Sequence, residues 1–316
     1  MSRRTCVIVN PASGGGATGR AWAGLQPELE ARLPGGREIA FTQRPLHATE
    51  LARSAVERGF DAIVSVGGDG TLNEVVNGLF APDPELGLGE SVLHPGLELS
   101  VVRRGTGGDF ARSLELPGRG RGVFAHLDSP RRKPMDLGLC TYRTEDGRVR
   151  RRAFANVASF GLTGLVDAKI NASGKKLGAL SFLGSTVSAL YEYRRREVRV
   201  AVDGQTLHEG PVLLGAAGNA SYFGGGIKIT PEADPHDGLL DAVVLTHAGP
   251  TEVRKVLDVF SGRHVRWSSA RVARGRRVEA TSLDGKPCLL DLDGEQPGIL
   301  DAEFRLVADA VILQLP

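Results

Sequence analysis

Three segments of the 316-residue sequence combine glycines with hydroxyl or carboxylate side chains at a spacing that suits phosphate chemistry. Gly67-Gly68-Asp69-Gly70-Thr71-Leu72-Asn73-Glu74 leads from a β-branched run into a helical pattern. Glycines without Cβ let backbone N–H groups approach phosphate oxygens, and the start of the next helix adds favourable partial charge. A carboxylate such as Asp69 would act there through a metal ion or its bound water. The alternative is a tight turn with Asp69 as a helix cap. Asn10-Pro11-Ala12-Ser13-Gly14-Gly15-Gly16 is a second loop of this kind, where Ser13 and the N–H groups after it could hold phosphate or ribose. Its alternative is a plain β–α connection. Gly105-Thr106-Gly107-Gly108-Asp109 repeats the logic a third time. Three such turns around one crevice suit a triphosphate.

The elements that must position these turns alternate strand and helix. Residues 5–9, 37–42, 61–66 and 97–102 read as strands, and 18–33, 46–58 and 71–80 carry helical spacing. That alternation predicts a parallel sheet with helices on both faces. Ligands bind such sheets at the carboxyl ends of the strands, where Asn10–Gly16, Thr42 and Gly67–Thr71 all fall. The Pro- and Gly-rich stretch 81–97 reads as a loop, and 117–133 as a basic segment turning helical. From about Pro134 Asp-Gly turns separate closely spaced strand runs (145–147, 202–204, 282–285, 292–294), which predicts a mostly antiparallel β domain. The expected division is an α/β domain over 1–133 and a β-rich domain over 134–304. A last strand, about 305–316, could return to the first domain.

Composition narrows the function classes. Thirty-nine Lys and Arg against 37 Asp and Glu give a net charge of +2, without the basic excess of a general nucleic-acid binder. Three dispersed cysteines, Cys6, Cys140 and Cys288, exclude a disulfide framework or zinc ribbon and fit a reducing compartment. No run reaches the ~18 apolar residues of a spanning helix. The histidines form no HExxH pair, and no GxSxG elbow occurs.

Together the motifs resemble the catalytic domain of the diacylglycerol kinase family, which includes bacterial lipid kinases and sphingosine and ceramide kinases. GGDGTLNEVVNGL at 67–79, VNPASGGG at 9–16 and GTGGDFARSL at 105–114 carry the resemblance, with GNASYFGGG at 218–226, the DGLLD at 237–241 and Asp293-Gly294-Glu295. The resemblance implies ATP held by Asn10, Pro11, Ala12, Ser13, Gly14, Thr42, Gly67, Gly68, Asp69, Gly70, Thr71, Leu72, Asn73 and Thr106. It implies Glu295 as general base with Asp293 in support, Asp69 acting through Mg²⁺, and a structural Mg²⁺ near Asp234, Asp237 and the main-chain carbonyl of Leu239. It further implies a lipid substrate with a free hydroxyl, an active site between two domains, and a cytoplasmic protein in transient contact with the inner membrane face. Oligomeric state is left open, a homodimer included. Read without the resemblance, Asp293-Gly294 is a hairpin signal and its turn solvated.

Two departures stand out. Arg103-Arg104 replaces a Pro-Leu-like pair, and Gly108 replaces an asparagine. The arginines could reach phosphate or an anionic lipid surface, or lie at a solvated edge. Residues 177–193 are the best apolar helix for an acyl pocket or, equally, an ordinary core helix. The basic runs 148–152, 194–196 and 271–277 could meet anionic headgroups or simply be solvated. A soluble-substrate kinase of the NAD kinase type, which shares GGDG, is one alternative. A non-catalytic nucleotide- or lipid-binding module is another.

Overall fold

The computed structural model describes residues 3–33, 35–117, 122–163, 193–247 and 258–316. The chain divides into two units: the first holds residues up to Leu137 together with Val307–Pro316, the second Gly138–Leu306.

In the first unit five parallel strands form the sheet. They are β1 (Thr5–Val9), β2 (Arg37–Phe41), β3 (Ala62–Gly67), β6 (Glu98–Arg103) and the end of β17 (Ile299–Gln314), in the order β17-β6-β3-β1-β2. Strands β1 and β3 are buried throughout, as their unbroken apolar runs require of a sheet covered on both faces. Successive residues of a strand point to opposite faces. Val7, Val9, Val64, Val66 and Val102 pack with Trp22 and Leu29 of helix α1 (Ala17–Arg32) and with Phe124 and Leu127. Helices α2 (His47–Glu57) and α3 (Asp69–Gly78) pack on each other and bury Ala48, Ala52, Val75 and Val76. The C-terminal strand is fixed by Gln314, which accepts from Ser100 Oγ at 2.6 Å and donates to the Leu127 carbonyl at 2.8 Å.

Two segments differ from their expected form. The stretch predicted as a loop holds a hairpin, β4 (Phe80–Asp83) with β5 (Gly87–Val92). Its turn is set by Asp83 Oδ1, which accepts from the N–H groups of Glu85 and Leu86. Composition hid the hairpin, because Asp83 closes the turn with its own side chain. The helical reading near 117–133 reduces, among the described residues, to one 3-10 turn at Ala125–Asp128. The helix α4 (Asp109–Ser113) follows the third glycine segment.

The second unit is antiparallel, as expected. The outer end of β7 (Arg132–Arg143) pairs with β8 (Val149–Phe154). Strands β10 (Arg196–Val202), β11 (Gln205–Val212) and β15 (Arg277–Ser282) join the beginning of β17. A second sheet runs β14 (Ala270–Gly275), β13 (Leu240–Leu245), β12 (Leu214–Gly218), β9 (Val157–Gly161) and β16 (Leu290–Leu292). Phe154, Phe160, Val200, Leu290 and Phe304 share one core, with Phe160 and Phe304 stacked at 6.4 Å.

Candidate active site

The parallel register aligns the carboxyl ends of β1, β3 and β6, and the three glycine segments leave the sheet together. They are joined to one another. Asn10 Nδ2 donates to Thr71 Oγ1 at 2.9 Å, linking the first segment to the second. The N–H groups of Arg104 and Gly105 donate to the Gly67 carbonyl at 2.6 and 3.0 Å, linking the second to the third. The chains of Gly68 and Gly105 touch so closely that a Cβ on Gly105 would lie 2.4 Å from the Gly68 Cα. Any side chain there would part the two loops. A Cβ on Gly14 would lie 2.8 Å from the Arg104 carbonyl oxygen, so the first segment also abuts the third. Ser13 Oγ donates to the Asn10 carbonyl and lies 2.7 Å from Thr18 Oγ1. The Thr42 N–H donates to the Val9 carbonyl at 2.9 Å.

Within the Gly67–Asn73 segment the residues take different parts. Gly70 is exposed, and so is Thr106 on the third segment. Leu72 and Asn73 are buried on the inner side of α3, and Asn73 is bonded to Asn77. They shape the loop from beneath. The first N–H groups of α3 have no partner inside the helix, as at any helix start.

Asp69 has a defined structural role. Its Oδ2 accepts from the N–H groups of Gly108 at 2.7 Å and Asp109 at 3.2 Å, and Oδ1 accepts from Phe110 at 3.2 Å. It caps α4, a helix 40 residues downstream, instead of its own. Glu74 acts in the same manner on α2, with Oε2 accepting from the Ala48 N–H at 3.0 Å.

In the second unit Asp293 and Gly294 form a tight turn, with φ of 52° and 88°. The turn is closed by Leu292 and Glu295 N–H···O bonds of 2.8 and 3.0 Å. The Asp293 carboxylate accepts from three consecutive N–H groups, those of Ala155, Asn156 and Val157, at 2.8–3.1 Å. Glu295 is half-buried on the outgoing side of this turn. Beneath it lies a buried polar network not recognised from sequence. Asp291 Oδ2 accepts from Ser159 Oγ at 3.0 Å, Ser159 bonds Thr163, and Asp291 Oδ1 accepts from the Gly294 N–H at 2.7 Å. Asn219 Nδ2 donates to the Ala155 carbonyl at 2.8 Å, and Asn156 Nδ2 donates to Tyr222. The GNASYFGGG segment and the DGE turn thus grip the same three residues, 155–157. The available signal was polar residues, Ser159 and Asp291, inside otherwise apolar strands, where burial requires a partner. A polar hollow of about 460 Å³ adjoins Gln296 and Gly298, lined also by Thr144, Asp146, Arg148 and Arg150. Its charged walls do not suit an acyl chain. The apolar candidate at 177–193 lies, apart from Tyr193, outside the described residues.

The Mg²⁺ expected near Asp234, Asp237 and Leu239 does not fit the donor set as it stands. Asp237 Oδ1 accepts from the Leu239 N–H at 3.0 Å, and its Oδ2 is ion-paired with Arg274 Nη2. Arg274 Nε also donates to Asp241 Oδ2 at 3.0 Å. Burial raises the Asp241 carboxyl to about 6, against the pull of Arg274. One guanidinium thus neutralises both Asp237 and Asp241. No cluster of three metal-ligating side chains occurs among the described residues. Of the basic runs, Arg148, Arg274 and Arg277 are ion-paired. No helix among the described residues is long and apolar enough to cross a membrane.

Comparison with known proteins agrees with this arrangement. A family model described as the diacylglycerol kinase catalytic domain matches residues 4–140, and one described as the YegS C-terminal NAD kinase beta sandwich-like domain matches 156–314. A diacylglycerol kinase of Bacillus subtilis (strain 168) is 31% identical over 265 residues, 81% of this chain and 78% of its own. A diacylglycerol kinase of Staphylococcus carnosus (strain TM300) is 27% identical over 309 residues, 96% of this chain and 92% of its own. The crystal structure of a diacylglycerol kinase from Bacillus anthracis str. Sterne shares the fold, with a TM-score of 0.71 at 20% identity over 100% of this chain and 97% of that one. The joined glycine loops, the β-rich second unit and these matches lead to one conclusion: the chain belongs to the diacylglycerol kinase family.

Proposed function

We propose that this chain is an ATP-dependent lipid kinase that transfers the γ-phosphoryl group of MgATP to the hydroxyl of a diacylglycerol-like lipid. The observation that carries the reading is the joining of three glycine loops at the carboxyl edge of the parallel sheet, held by Asn10–Thr71, Gly67–Arg104 and Gly68–Gly105 contacts. Such an edge offers exposed backbone at Gly70 and Thr106 and the start of a ten-residue helix to a polyphosphate. Asn10–Gly14, Thr42, Gly67–Thr71 and Thr106 form the nucleotide face, with Leu72 and Asn73 behind it. Magnesium enters with the nucleotide as part of the substrate.

Phosphoryl transfer depends mainly on positioning and on neutralising charge. The acceptor hydroxyl must also lose its proton, and a carboxylate within hydrogen-bond reach can take it. Glu295 has that part in this reading. Asp293 holds the turn that presents Glu295, and Asp69 holds the third glycine loop against the second. Membrane contact is transient and occurs while the lipid is taken up.

The test uses purified full-length protein, labelled ATP and a panel of lipids in mixed micelles, with NAD as a parallel acceptor. Label is expected in a lipid bearing a free hydroxyl and not in NAD. Transfer to NAD alone, or to no acceptor, would sink the proposal.

A further inference from the structure

Arg103 and Gly108 form one device. Arg103 ends β6 and is half-buried, and its Nη2 donates to the Gly107 carbonyl at 2.5 Å. Gly108 has φ +72°, and a Cβ on it would lie 2.0 Å from Arg103 Nε, 2.6 Å from Cδ and 2.7 Å from Cζ. The arginine side chain therefore lies across the face of Gly108. The clash would be with the middle of that side chain, so any residue with a Cβ at 108 must push it off the turn. On its other side the same turn is held by Asp69, which accepts from the Gly108 N–H.

The charge on the loops makes this placement informative. The three glycine segments, 10–16, 67–74 and 105–109, hold no basic residue, and Arg103 and Arg104 directly precede the third. Arg104 knits the loops with its main chain, through its N–H to Gly67 and its carbonyl against Gly14. The Arg103 guanidinium is bonded over the third loop, which carries exposed Thr106. The acidic Asp109 of that loop is paired with Arg112 at 2.5 Å. A polyphosphate arriving at these loops needs cationic neutralisation, and a guanidinium matches phosphate oxygens in a planar fork.

We propose that Arg103 positions the terminal phosphates of the nucleotide, and that glycine at 108 is the condition for it to do so. The inference rests on the nucleotide reading above. The two departures from the family pattern are then one exchange: a side chain at 108 is given up, and a guanidinium from 103 lies in its space.

The experiment is a double-mutant cycle with Arg103→Leu, Gly108→Asn and the pair together. Arg103→Lys serves as the conservative variant. Asparagine tolerates the left-handed conformation better than other side chains, so Gly108→Asn displaces Arg103 with little backbone strain. Each single change should raise the KM for ATP about tenfold or more while leaving the KM for lipid unchanged. The double variant should be no worse than either single one, because both remove the same contact. Arg103→Lys should recover part of the affinity. Direct titration should show ATP binding weakened more than adenosine binding, with the unfolding midpoint of Arg103→Leu unmoved. An ATP KM within twofold of wild type for Arg103→Leu, or defects that multiply in the double variant, would overturn the inference. Wild-type protein that fails to bind ATP at all removes the nucleotide reading itself. Wild type and Arg103→Leu binding ATP equally removes only this inference.

Discussion

Asp69 in the first unit and Asp293 in the second do the same work on different scaffolds. Each precedes a glycine, and each carboxylate accepts three consecutive backbone N–H groups from a distant segment, 108–110 for Asp69 and 155–157 for Asp293. The difference lies in what is held. Asp69 is the first residue of α3 and caps a short helix whose N–H groups would otherwise be unsatisfied. Asp293 sits in a turn at φ 52° and grips the bend between two strands, where no helix supplies order. Asp203, also before a glycine, shows a shorter version with two N–H groups, those of Arg276 and Arg277. Carboxylates that invite a catalytic reading thus serve first as backbone clamps. In the proposed mechanism the general base is Glu295, the half-buried acid on the outgoing side of the Asp293 turn.

That comparison can be tested in order of expected effect. Glu295→Gln keeps the side chain in size but removes the proposed base, so kcat should fall by about 10³-fold, within the usual range for general-base loss. ATP affinity and the unfolding midpoint should be retained. Wild-type turnover by this variant would return Glu295 to the class of structural acids. Asp293→Ala frees three N–H groups without a helix to reorganise them, and urea unfolding should show a loss of about 3 kcal/mol. Asp69→Ala removes a helix cap at a half-buried place that water can reach, and about 2 kcal/mol is expected. Equal losses at the two sites would mean that the scaffold makes no difference.

A third contrast concerns pH. Burial lowers the His126 imidazole of the first unit to about 4. A histidine in the unfolded chain titrates near 6.5. Between those values the unfolded chain binds a proton that the folded one refuses, so stability is complete above about 6.5 and falls as pH drops toward 4. Unfolding at pH 5.5 should therefore be easier than at pH 7 by roughly 1 kcal/mol, at about 1.4 kcal/mol per pH unit. His126→Phe should flatten that slope. The smallest effect belongs to the second unit. Because Arg274 neutralises Asp237 and Asp241, a chelator should leave the unfolding midpoint of the nucleotide-free protein unmoved. Arg274→Ala should make the midpoint rise with added Mg²⁺. A fall on chelation of wild type would instead point to a resident divalent ion.

Much of the first unit could be read in advance, since strand and helix periods there are local. The β1 and β3 runs and the GGDGT turn show their ends in five or six residues. The polar network of Ser159 and Asp291 could not be read, because its partners are 132 residues apart. The hairpin at 80–92 was hidden by its prolines and glycines, which signal a loop on composition alone.

Residue order alone established the alternating fold of the first unit, the antiparallel texture of the second and the family, because these rest on periodicity and on contiguous motifs. Tertiary structure decided what the acids and arginines of those motifs touch. A carboxylate or a guanidinium acts on what lies within about 3 Å, and those neighbours, Asp69 to Gly108 or Arg274 to Asp237, are 37 to 39 residues away along the chain.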